Sequence, residues 1–102
     1  MSSTATLLNR NRKFSTNFSN SDLPILPLLR TVVLTCADAR VDPAHVLGLD
    51  LGDAVIIRNN GGRVTRSVIE EIATLAFMVK QVVEARFEEP VRGHEQIAVA
   101  VV

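Results

Sequence analysis

Apolar residues in this chain fall into three short runs and one long periodic stretch, with polar turns between them. The first run, TVVLT from Thr31 to Thr35, is β-branched and does not alternate. That is the pattern of a strand covered on both faces in a parallel sheet. In the following VDPAHVLGLD, Asp42 can cap a helix, Pro43 suits its first position and Gly48 marks a stop. A short helix is predicted there. A second apolar strand, Ala54 to Ile57, runs into Arg58, two asparagines and two glycines. Next, Ile69, Ile72, Ala73, Ala76, Val79 and Val83 recur at three and four residues, and Ser67 and Glu70 have capping-box spacing. These predict a helix from about Ser67 to Phe87 that ends before Pro90. After the polar loop EEPVRGHEQ, the run IAVAVV reads as a third buried strand.

Strand, short helix, strand, long helix, strand is the order of an α/β fold, with three layers and a mainly parallel sheet. Ahead of it, Leu7, Leu8, Phe14 and Phe18 fall at roughly helical spacing and predict an N-terminal helical arm. The stretch SNSDLPILP, with two prolines, reads as a linker. The organisation expected is therefore residues 1–25 as arm and linker and 26–102 as the main body.

Charge and composition narrow the partners. Eleven basic residues balance eleven acidic ones, and Trp and Tyr are absent. The chain thus lacks both the basic footprint and the stacking platform of a nucleic-acid binder, and no nucleic-acid partner is expected. No apolar run approaches the ~20 residues of a membrane-spanning helix, so no membrane partner is expected either. The only cysteine, Cys36, excludes an internal disulfide and suits a reducing compartment, which points to the cytoplasm. No acidic residue precedes Asp22, while Arg10, Arg12 and Lys13 do. That composition leaves a mitochondrial presequence open, with the amphipathic arm the favoured reading.

Functional groups in parallel sheets gather at the carboxyl ends of the strands, and both unusual clusters, Cys36 to Arg40 and Arg58 to Arg63, stand there. In extended chain, a thiolate and a carboxylate two residues apart face one way, and both ligate zinc when deprotonated. Arg40 can grip the Asp38 carboxylate through two parallel hydrogen bonds. Asp38 could then ligate a metal, or be held back to accept a hydrogen bond from a metal-bound water. Taken alone, C-x-D-x-R better fits a small apolar side chain ending a strand beside a surface ion pair. Gly61 and Gly62 allow positive φ and a close approach of backbone amides to an anion, or simply a strand-to-helix turn.

Together, CADAR and GDAVIIRNNGGRVT resemble the β-class carbonic anhydrases, whose hallmark is C-x-D-x-R after the first strand and G-D-x-hydrophobic-R-N-x-G after it. The resemblance covers roughly Leu26 to Val102 and implies a truncated β-carbonic anhydrase fold, with the basic arm similar to the family's N-terminal helices. It implies a zinc-dependent lyase that reversibly hydrates carbon dioxide to bicarbonate, assembled as a homodimer or higher oligomer with its site near the subunit boundary. Cys36 would be a zinc ligand. Asp38 and Arg40 would form a dyad: Asp38 accepts from zinc-bound water in an open form and, released by Arg40, takes zinc's fourth position in a closed one. Asn59 and Gly61 match the segment that shapes the substrate pocket, with Asn60 standing where alanine is common.

The family's other two zinc ligands come from H-x-x-C directly after the third strand, and the sequence given ends at Val102. The zinc site is therefore expected to be incomplete in this chain. Neither His45, on the short helix, nor His94, ahead of the third strand, occupies a metal position of the family. Two functions follow as expectations. One is a β-carbonic anhydrase by descent, represented by part of its domain. The alternative is a catalytically inactive truncated product acting as an interaction module with an intact relative.

Overall fold

Three parallel strands, ordered β2-β1-β3, position everything of functional interest. The computed structural model describes residues 2–86 and 98–102. Along the chain the elements are α1 (Ser3–Thr16), β1 (Thr31–Cys36), α2 (Pro43–Leu47), β2 (Ala54–Asn59), α3 (Arg66–Arg86) and β3 (Ala98–Val101). The fold is the parallel α/β arrangement expected, with β1 in the middle because its unbroken apolar run suits cover on both faces. Val32, Val33, Leu34 and Thr35 are all buried there. Each aliphatic side chain so buried contributes about 1.5–3 kcal/mol. The Thr35 hydroxyl is the exception, buried with no hydrogen-bond partner among the described residues.

The flanking strands differ from their sequence reading. Along β2, Ile56 and Arg58 are exposed while Val55, Ile57 and Asn59 are partly covered. As for β3, it was expected to be buried, but Val99 and Val101 are 46% and 59% exposed. Valine and alanine read the same in a central strand and at an edge; the strand order decides between them. Pro90, His94 and the rest of the loop Glu88 to Gln96 lie outside the described residues.

Of the two sheet-associated helices, α2 matches its local signals. Asp42 Oδ1 accepts the Ala44 N–H at 3.0 Å, Pro43 opens the helix, and Gly48 closes it in the left-handed conformation at φ 62°. In α3 the start and the buried face both shift. Thr65, not Ser67, caps it, its Oγ1 accepting the Val68 N–H at 3.2 Å, while Glu70 pairs with Arg66 instead. Val68 and Val79 are buried and Ile72, Leu75 and Ala76 partly so, whereas Ile69 is 57% exposed. Ile72, Ala76 and Val79 of the expected stripe are thus covered, while Val68 and Leu75 are covered in place of Ile69 and Ala73.

Before the sheet, α1 buries no residue. It is held by its own caps, with Ser2 Oγ accepting the Ala5 N–H at 3.1 Å. The stretch read as linker ends inside the body: Leu26 and Pro27 are buried, and Leu28 and Leu29 donate to the carbonyls of Gly52 and Asp53, each at 2.9 Å. Among the described residues, no helix is long and apolar enough to cross a membrane.

Candidate active site

Cys36 closes β1 and Asn59 closes β2, and the parallel register sets the two residues opposite one another. The Ala37 N–H adds one further bond past the strand end, to the Asn59 carbonyl at 2.8 Å. The chain then turns. Val41 N–H donates to the Asp38 carbonyl at 3.0 Å, and Arg40 N–H to Asp38 Oδ1 at 2.8 Å. The Arg40 side chain comes back across this turn, its Nε 3.1 Å from Oδ1 and its Nη2 2.7 Å from Oδ2. These are the two parallel bonds anticipated from the spacing. The Arg40 side chain is 89% exposed and that of Asp38 31%. A pair so open to water adds little stability, so its main effect is to aim the carboxylate. The Arg40 side chain first, and its backbone N–H second, hold the Asp38 carboxyl below the usual carboxylate range, and Asp38 raises Arg40 in return.

The turn also surrounds the thiol. Backbone N–H groups of Asp38, foremost, and of Gly61 reach the Cys36 sulfur, with a smaller contribution from Ala37. They lower the thiol below its ordinary value against the opposing effects of burial and the Asp38 charge. Converging amides of this kind favour an anion, and here they favour ionisation of the thiol itself.

The second cluster is built so that Gly61 can reach the sulfur. Asn59 closes the glycine turn with its carboxamide: Nδ2 donates to the Arg63 carbonyl and Oδ1 accepts the Arg63 N–H, both at 2.8 Å. Gly62 then lies against the end of β1. A Cβ there would sit 3.0 Å from the Cys36 nitrogen and 3.1 Å from the Thr35 carbonyl carbon, at φ +59°. Only glycine fits so close to a neighbouring backbone. Sequence reasoning singled out Asn59 and Gly61 for the pocket and the Gly61–Gly62 pair for positive φ and close approach; the geometry adds that what Gly62 approaches is the backbone at the end of β1. It also adds Arg58, which sequence reasoning left without a task and which bonds to the carbonyls of Cys36, Asp38 and Val41.

The donors brought together are thus the Cys36 sulfur and the Asp38 carboxylate. Among the described residues, no three of His, Cys, Asp and Glu gather as a metal would require. His45 is exposed on α2, and His94 lies outside the described residues. A tetrahedral zinc takes four ligands, so the described residues do not make a zinc site by themselves. Two surface grooves are built from other residues, one along Ile56, Arg58, Ser67, Glu70 and Glu71, and a smaller apolar one between Leu26, Val55 and Val79.

Comparison with known proteins agrees on one family. The family model described as carbonic anhydrase matches residues 31–96. Beta-carbonic anhydrase 1 of Mycobacterium bovis and that of Mycobacterium tuberculosis are each 41% identical over 51 residues, 50% of this chain and 31% of the relative. The match therefore spans about a third of the length of those curated relatives. In three dimensions the chain is similar to a carbonic anhydrase from Streptococcus mutans, with TM-score 0.66 and 27% identity over 95% of this chain and 71% of that one. It is also similar to a carbonic anhydrase from Glaciozyma antarctica, with TM-score 0.52 and 30% identity over 69% and 39% of the two chains.

Proposed function

The chain belongs to the carbonic anhydrase family, and from that premise we propose that it carries the cysteine-and-dyad half of a β-class site for zinc-dependent, reversible hydration of carbon dioxide to bicarbonate. The observation that best supports this reading is the Asp38 carboxylate gripped by Nε and Nη2 of Arg40, two residues past Cys36 at the paired ends of β1 and β2. Zinc, where all its ligands are present, supplies water acidic enough to react near neutral pH. The chain's own residues supply the surroundings. Cys36 offers a thiol whose ionisation is eased by the backbone around it. Asp38 offers an ionised acceptor in a fixed orientation, and Arg40 sets that orientation. Asn59 and Gly61 keep the glycine turn beside the sulfur. The remaining donors of a tetrahedral site have to come from outside the described residues.

Assembly is part of the same proposal. Ile69, Phe77, Met78, Val99 and Val101 are all exposed, which fits a homodimer or larger oligomer that covers them. The same exposure favours a second reading, an inactive interaction module that covers these surfaces with an intact relative. Stopped-flow hydration of carbon dioxide by the 102-residue chain with added zinc separates the two readings. Hydration above the uncatalysed rate, reduced to background in Cys36→Ser and lowered ~10-fold or more in Asp38→Asn, supports the enzyme reading. Equal, background rates in all three proteins would contradict catalysis by this chain on its own and favour the module.

A further inference from the structure

The dyad turn has a feature that neither its motif nor its ion pair explains: its main chain is held from outside by a single side chain. Arg58 leaves β2 and places Nε 3.0 Å from the Cys36 carbonyl, and Nη2 2.6 Å from the Asp38 carbonyl and 2.9 Å from that of Val41. These three oxygens lie at the start, the middle and the end of the turn that carries Asp38 and Arg40. The partners are 17 to 22 residues away in sequence, so nothing local would assemble them. A planar guanidinium can serve several acceptors with fixed geometry, which the compact ammonium of lysine cannot do.

We propose that Arg58 is a positioning residue that fixes the backbone of the Cys36–Val41 turn and thereby sets the direction in which the Asp38–Arg40 pair points. Its role as part of an active site rests on the carbonic anhydrase reading; its action on the turn does not. Arg58 also favours the ionised form of Asp38 through its charge, so a test has to separate charge from shape.

Hydrogen exchange and arginine side-chain NMR on the full 102-residue chain do this without zinc or carbon dioxide. The variants are Arg58→Lys, which keeps the charge, and Arg58→Ala, which does not. In both, the Arg40 and Val41 amides should exchange about tenfold faster or more, the scale of losing one charge-assisted hydrogen bond. The Arg40 Nε–H resonance should move toward that of a free arginine. Amides of β1 and of α2 should keep their protection. Wild-type behaviour at Arg40 and Val41 in Arg58→Ala would overturn the proposal. Recovery to within about twofold of wild type in Arg58→Lys would also overturn it, because charge alone would then suffice. Equal loss of protection in β1 would make Arg58 a folding residue and overturn it too. Because no catalysis is measured, a failed hydration assay and a failed positioning role give different results.

Discussion

The helix α1 and the paired ends of β1 and β2 are both rich in exposed polar side chains, yet they are held together in opposite ways. In α1, hydrogen bonds such as Arg12 to Asn9, Ser15 to the Arg12 carbonyl and Thr16 to the Lys13 carbonyl span only three residues. At the strand ends, Arg58 reaches across 17 to 22 residues, and Gly62 lies against backbone from another strand. Local bonds report helix formation and nothing more. Bonds that close long loops cost chain entropy to form, and concentrating them around one thiol and one carboxylate marks a place where direction matters. The two regions teach that exposed polarity alone does not identify a site; the reach of its hydrogen bonds does.

Substitutions at the two regions test this contrast. The largest effect is expected at the strand ends. Gly62→Val combines a positive φ with contacts at 3.0 and 3.1 Å to backbone, and should lower unfolding stability by about 2–4 kcal/mol in urea titrations. Gly48→Ala has a similar φ but nothing within 4 Å of the new Cβ, so only the conformational penalty of about 1 kcal/mol should appear. Equal losses at the two glycines would mean that crowding against β1 is not what Gly62 relieves.

A smaller effect of opposite sign is expected one residue before the cysteine. Thr35 is fully buried and its hydroxyl has no partner among the described residues, so Thr35→Val should stabilise by about 1 kcal/mol. A loss of that size would reveal an unseen partner for the hydroxyl.

The ion pair gives a dependence on pH whose sign is fixed. Asp38 has a depressed folded-state pKa, chiefly because of the Arg40 side chain. Its stabilising contribution is therefore complete above the ordinary carboxylate pKa of about 4 and is lost as pH falls through the lower folded value. The stability difference between wild type and Asp38→Asn should be constant from pH 7 to 5 and shrink below pH 4. A difference that grows on acidification would contradict the grip. The smallest effect belongs to the arm. Leu8→Ser, on a helix with no buried residue, should change stability by no more than about 0.5 kcal/mol.

How much of this was legible in the sequence follows the same division. The helix α2 could be read residue by residue because Asp42, Pro43 and Gly48 act within one turn. The pairing of Asp38 with Arg40 was legible for the same reason: its bonds span two residues. For α3 the period was legible and its phase in part: Ile72, Ala76 and Val79 are covered as read, but Val68 is buried rather than Ile69, which is equally apolar. Arg58 could not be given a task from sequence. A charged residue ending a strand usually meets solvent, and its three carbonyl partners become neighbours only once β1 and β2 pair in register.

The proposed role of Cys36 is that of a metal ligand at the paired ends of β1 and β2. Titrating the reduced chain with cobalt(II) as a spectroscopic substitute for zinc tests this most directly. A near-ultraviolet thiolate-to-cobalt band is expected in the wild-type chain and should vanish in Cys36→Ser. A band of equal strength in Cys36→Ser, or none in either protein at saturating cobalt, would contradict it.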